Sequence, residues 1–90
     1  MTTHRLKTWP DPFAAVLNGT KSYEIRVNDR DYQMGDILHL VEFFPEDGMF
    51  TGDQLWVRVT YMTKGGDWGL PDHLCVMSIE PVGSEDDEPA

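Results

Sequence analysis

The sequence predicts a small α+β domain, mainly β, in which one short helix leans on a closed or nearly closed sheet. Three observations predict it. Five short segments alternate apolar and polar residues or form brief apolar runs, as strands do. Only one stretch has apolar residues at helical spacing. Between the segments stand turn formers: Asn18-Gly19, Asn28-Asp29, Gly35-Asp36, Pro45-Glu46-Asp47-Gly48 and Gly65-Gly66. Many strands in 90 residues favour closure, because closure removes exposed edges.

Residues 4–8 read as the first strand. The prolines of Trp-Pro-Asp-Pro then stop it. Asp11 before Pro12 suits an N-cap followed by proline at the first helical position, and Phe13, Val16 and Leu17 repeat at helical spacing. Asn18-Gly19 ends this helix, with Gly19 in the left-handed position. Lys21 to Val27 alternates Tyr23, Ile25 and Val27 against Ser22, Glu24 and Arg26. Strands are expected over 37–44, 55–62 and 73–79. Residues 1–82 form one domain, and residues 83–90 an acidic tail expected to be disordered.

Composition narrows the function. Net charge is −9, which argues against indiscriminate nucleic-acid binding. The charge is uneven. Residues 1–30 hold Arg5, Lys7, Lys21, Arg26 and Arg30 against three acids, whereas residues 31–90 hold two cations against thirteen acids. The first third can form a local anion-attracting patch, or its cations can simply balance their neighbours. Cys75 is the only cysteine, so no internal disulfide or cysteine zinc site forms, and it reads as a small core residue. No apolar run approaches a membrane span or a signal peptide, and a cytoplasmic location is the default expectation. His39 and His73 show no ligand spacing with acids, and no metal or cofactor is expected.

The densest chemistry lies in Gly19 to Asp36. Lys21 can reach a phosphate or a base oxygen as a point charge. Glu24 and Arg26, two apart, share one side of a strand. They either read a base edge or form a structural ion pair. Glu24 is also the best general-base candidate, with Lys21 as its catalytic partner. Asn28 and Asp29 suit a turn; Arg30 faces a ligand or a carboxylate. Trp68, in a glycine-rich loop, either stacks on a splayed base or closes one end of the barrel. Trp9 is expected in the core, and His4 in packing or capping.

Three runs carry a family resemblance: His4-x-Leu6-Lys7; then Gly19-x-Lys21-x-x-Glu24-x-Arg26-x-Asn28-Asp29-Arg30; then Gly35-Asp36-x-Leu38 with Thr51-Gly52. Over residues 4–81 the chain resembles the small ASCH-type proteins of the PUA-like superfamily, and within them an uncharacterised branch of phages, prophages and bacteria. The resemblance implies a small PUA-like β-barrel with a helix at one side, His4 and Lys7 near a cleft, and RNA or a modified nucleoside held there. Lys7, Lys21, Glu24, Arg26, Arg30 and Trp68 are the residues expected to bind it. A related ASCH group hydrolyses N4-acetylcytidine with a lysine, a threonine and a glutamate. Lys21 falls on that lysine, but Glu24 stands where that group has its threonine. The branch often has a basic residue after Thr51-Gly52, where this chain has Asp53. The alternatives are a small amidohydrolase acting on an acylated cytidine and a phage-encoded module that meets protein partners through its acidic surface.

Overall fold

The computed structural model describes residues 1–83. Strand β1 spans Thr3–Thr8 and helix α1 Pro10–Leu17. Strands β2 (Tyr23–Val27), β3 (Ile37–Phe44), β4 (Met49–Lys64) and β5 (Leu74–Gly83) follow, with a single 3-10 turn at Asp67–Gly69. The expected order of one strand, one helix and four strands is the observed one. All five strands form one sheet in the order β1-β3-β4-β5-β2. β1 runs parallel to β3, and every other pair is antiparallel. No helix is long and apolar enough to cross a membrane.

Several boundaries differ from expectation, each for a local reason. The helix starts two residues earlier: Pro10 opens it, Trp9 takes the cap position without a side-chain bond, and Asp11 sits in the first turn. Proline at the first helical position costs no hydrogen bond, since that N–H has no intrahelical partner anyway. β4 begins at Met49, six residues early, because the turn at residues 45–48 folds a tight hairpin that pairs Phe44 with Met49. Gly52 absorbs a φ of +96° inside the strand. β5 continues to Gly83, so most of the expected tail, residues 84–90, lies outside the described residues.

The core fills the concave side of the sheet. Leu6, Leu38, Leu40, Val57, Val59, Cys75, Met77 and Ile79 face inward, and α1 covers them with Phe13 and Val16. Cys75 is buried and unpaired, as expected, and burial pushes its thiol pKa up, leaving a neutral packing group. Trp9 is not in this core. It is 60% exposed, because the prolines that follow turn the chain and leave its indole on the surface.

Asp36, from the Gly35-Asp36 turn, anchors the start of β1. Its carboxylate is buried and accepts from Thr2 N–H at 3.0 Å and Gln33 N–H at 3.0 Å, and lies 2.8 Å from His4 Nε2. His4 also meets the Tyr32 ring edge to face, with centroids 4.7 Å apart. His4 therefore serves packing and polar satisfaction. Burial pushes the Asp36 pKa up, but the hydrogen bonds from His4, Thr2 and Gln33 outweigh it and hold the carboxyl below its ordinary 3.8.

The sign of the pH effect follows. A carboxyl with a depressed folded pKa adds stability that is complete above its unfolded value and disappears as pH falls through the folded one. Asp36→Asn is expected to lower stability at pH 7 by about 1–3 kcal/mol, the usual loss for a buried hydrogen-bonded group. In urea melts the gap between the two proteins closes below roughly pH 3.8; a gap independent of pH would contradict this role.

Candidate functional site

β1 and β2 are the two ends of the strand order, and the sheet curls until they face each other. They do not pair through their backbones. Ser22 C=O accepts from Ile79 N–H, and Asn28 N–H donates to His73 C=O. In an antiparallel ladder this alternation turns the backbones of Ser22, Glu24, Arg26 and Asn28 toward β5, and those of Tyr23, Ile25 and Val27 toward β1. Arginine side chains span the remaining gap. Arg26 Nη1 donates to Lys7 C=O at 3.1 Å and Nη2 to Thr8 Oγ1 at 3.2 Å. Arg30 Nη1 donates to Arg5 C=O at 2.9 Å. The sheet is thus a half-barrel whose open seam is laced by guanidinium groups.

The inward face of β2 is charged, while its apolar residues Tyr23, Ile25 and Val27 are exposed. This inverts the usual arrangement of a half-buried strand. The cause is its position: the inward face of β2 abuts the seam, where cations wait for Glu24.

Glu24 is the centre of the site, with only 3% of its surface exposed. Oε1 accepts from Lys21 Nζ at 2.7 Å. Oε2 accepts from Arg26 Nε at 2.9 Å and lies 2.8 Å from Arg26 Nη2. Such charge-assisted bonds are stronger than neutral ones. The helix end sets Lys21: Gly19 takes a φ of +86°, and Lys21 N–H donates back to Ala15 C=O at 3.0 Å. Lys21 Nζ also donates to Tyr23 C=O at 2.6 Å and lies 4.8 Å from the centre of the Tyr23 ring.

These groups line a cleft of about 290 Å³ between β1, α1 and β2. Its lining includes Thr8, Trp9, Lys21, Tyr23, Glu24 and Arg26. Lys21, Glu24 and Arg26 form its charged cluster, and exposed Trp9 and Tyr23 supply two aromatic rings. Lys7 lines the cleft as well, but its ammonium lies over the Phe43 ring at 4.6 Å. Arg30 lines a second pocket on the far side of Arg26. Trp68 is distant in kind: it is 97% exposed, on a turn with a φ of +54°, and beside a shallow pocket formed with Leu70, Pro71 and Val76. It closes no barrel end and does not line the cleft.

The arrangement therefore brings together Lys21, Glu24 and Arg26, sets Lys7 and Arg30 along the same seam, and leaves Trp68 apart. Five of the chain's seven lysines and arginines stand on or beside the two seam strands: Arg5 and Lys7 on β1, Lys21 just before β2, Arg26 on it and Arg30 after it. Sequence reasoning missed Trp9, Tyr23 and Thr8. For Trp9 the usable signal is its place directly before Pro10, the residue that opens the helix. His39 stacks on Trp56 and His73 lends its carbonyl to Asn28. Among the described residues no group of three or more His, Cys, Asp or Glu side chains is arranged to hold a metal ion.

A family model for a domain of unknown function, DUF3850, matches residues 3–79. The chain belongs to the DUF3850 family. The matched span includes β1, the helix, the whole Glu24 cluster and most of β5. The chain is also 38% identical over 76 residues to the "Uncharacterized 12.9 kDa protein in GpA 3'region" of Escherichia phage P2, across 84% of this chain and 67% of that protein. A phage-associated family of unknown function is the coarse part of what the resemblance implied.

In this DUF3850 domain the Glu24 ion-pair cluster predicts its own cost of removal. Glu24→Ala leaves Lys21 and Arg26 without their carboxylate, but both cations keep some contact with water. The expected loss is about 1.5–3 kcal/mol, as for hydrogen bonds to a charged group, and short of that for a fully buried pair. Chemical denaturation measures it; a loss under about 0.5 kcal/mol, the scale of an ordinary surface substitution, would mean the pairs are incidental.

Proposed function

We propose that the cleft between β1, α1 and β2 binds a nucleobase, presented by RNA or by a modified nucleoside. The observation that carries this reading is the convergence of Lys21, Glu24 and Arg26 beside two exposed aromatic rings. Lys21 and Glu24 place a donor next to an acceptor. That pattern is complementary to a base edge carrying a carbonyl or ring nitrogen beside an N–H. Glu24 Oε1 has a second lone pair, and Lys21 retains one N–H after serving Tyr23 and Glu24. Trp9 and Tyr23 offer faces for stacking, typically worth about 1–3 kcal/mol per base. The volume is at the low end for small-molecule sites, roughly 300–1,000 Å³, which suits a single base.

The resemblance to ASCH-type PUA-like proteins supports the same class of ligand, and it suggests an N4-acylated cytidine as one to test. Hydrolysis is supported less well than binding. Thr8 and Tyr23 carry the hydroxyls of the cleft lining. Thr8 Oγ1 donates to Leu6 C=O at 3.2 Å and accepts from Arg26, so neither Lys21 nor Glu24 activates it. A general base must stand within hydrogen-bond reach of the proton it takes.

Isothermal titration with cytidine, N4-acetylcytidine and the other ribonucleosides tests the reading. At least one is expected to bind, and Trp9→Ala and Lys21→Met are each expected to weaken it about tenfold, the loss of one stacking or charged contact. Trp68→Ala is expected to leave affinity unchanged. No binding by any nucleoside or short RNA, or equal binding by the Trp9 and Lys21 variants, would end the proposal. Release of cytidine from N4-acetylcytidine in the same samples would favour the hydrolase.

A further inference from the structure

The second pocket of the seam has no part in the cleft's chemistry, and its construction is unusual. It measures about 330 Å³ and lies beyond Arg26, lined by Leu6, Ile25, Arg26, Val27, Asp29, Arg30 and Tyr32. Tyr32 is the informative member. It is one of the most deeply buried side chains of the protein, 2% exposed. Its ring is fixed against His4. Yet its hydroxyl makes no hydrogen bond to any described residue, although its backbone N–H is held by Asn28 Oδ1 at 3.4 Å. Nor is that oxygen sealed from solvent, since Trp56 Nε1 is the one fully enclosed side-chain polar atom without a partner among the described residues. A buried tyrosine normally finds a partner for its hydroxyl. Tyr32 lines this pocket; burial pushes its hydroxyl pKa up, and the nearby Arg30 and Arg26 charges pull against that rise.

Arg30 is the second donor. One of its N–H groups holds Arg5 C=O, and four of the five remain. Among the described residues it has no carboxylate within 4 Å. Arg26 forms the common wall with the cleft and is largely engaged by Glu24, Thr8 and Lys7. Asp29 is the one acid among the residues lining the pocket, and among the described residues no ion pair joins it to either arginine.

We propose that this pocket is a phosphate subsite, filled by the phosphate attached to the nucleoside whose base lies in the cleft. The inference rests on the nucleobase reading and narrows it: the ligand is a nucleotide, free or within a strand, rather than a bare nucleoside. Arg30 and the Tyr32 hydroxyl donate to the phosphate oxygens. The spacing is suitable. Glu24 and Arg26 are two residues apart on one strand, about 7 Å, and the two pockets share Ile25 and Arg26. The donors left unused at the seam then acquire a single purpose.

Calorimetry at low salt separates this inference from the reading it rests on. The probes are the four ribonucleosides, their 3′- and 5′-monophosphates, and ribose 5-phosphate, tested with the wild-type chain, Tyr32→Phe and Arg30→Gln. A monophosphate is expected to bind about tenfold more tightly than its nucleoside, the scale of one added charged hydrogen bond. Each substitution is expected to remove most of that advantage while leaving the nucleoside's own affinity within about twofold. Tyr32→Phe should keep the melting temperature, because the lost hydroxyl had no protein partner. Equal affinity for nucleoside and monophosphate, or an advantage that survives both substitutions, overturns the subsite and leaves the base cleft standing. If no nucleoside binds, the base cleft fails instead, and ribose 5-phosphate decides the subsite alone: saturable binding lost in Tyr32→Phe upholds it, and no binding ends it.

Discussion

The carboxylate of Glu24 sets the geometry of the seam. It takes Lys21 on one oxygen and Arg26 on the other, and Arg26 continues to β1 through Lys7 C=O and Thr8 Oγ1. A five-stranded sheet of this size has to do something with its two edges. Direct pairing would bring β1 and β2 to about 4.8 Å and shut the seam. A guanidinium between them holds the edges apart by the length of a side chain, and the gap on either side becomes a pocket. Buried ion pairs contribute little net stability, since desolvation offsets their attraction. Three charges at one seam are thus better accounted for by the opening they maintain than by the stability they add.

An anionic ligand on a chain of net charge −9 looks contradictory until the charges are placed. Five of the seven cations stand on β1 and around β2, whereas β3, β4, β5 and the loops between them hold seven acids against two cations. In physiological salt, charges more than about 8 Å apart are largely screened. The proposed ligand would therefore meet the local arginines and lysines rather than the average charge. The acidic remainder would discourage a broad grip on nucleic acid, so the proposed contact would be confined to the seam.

Much of the fold was legible in the residues. Alternation and brief apolar runs located every strand, and Asn18-Gly19 and Gly35-Asp36 marked turns that the structure uses. What local pattern cannot say is which face of an alternating strand is the inner one. In β2 the apolar set Tyr23, Ile25 and Val27 reads as the natural core face, yet tertiary placement at the seam turns it outward and buries Glu24. The grouping of Lys21, Glu24 and Arg26 was readable because they are near neighbours in sequence. Their meeting with Thr8 and Trp9 was not, because it depends on the curl of the sheet. The same limit misplaced the aromatic: Trp68 has the glycine-rich loop that suggests a mobile stacking residue, but the cleft is walled by Trp9, which is held in place by the prolines after it. Tyr32 gave no sequence signal at all, since only its burial together with an unpaired hydroxyl makes it notable.

The most direct test of the account follows the side-chain N–H signals of the protein by nitrogen-15 NMR as a nucleotide is added. The indole N–H of Trp9 and the Nε–H of Arg26 are expected to shift together and saturate at one affinity, while the indole N–H of Trp68 stays still. Shifts confined to Trp68, or Trp9 and Arg26 signals indifferent to every nucleotide, would contradict a ligand seated in the seam.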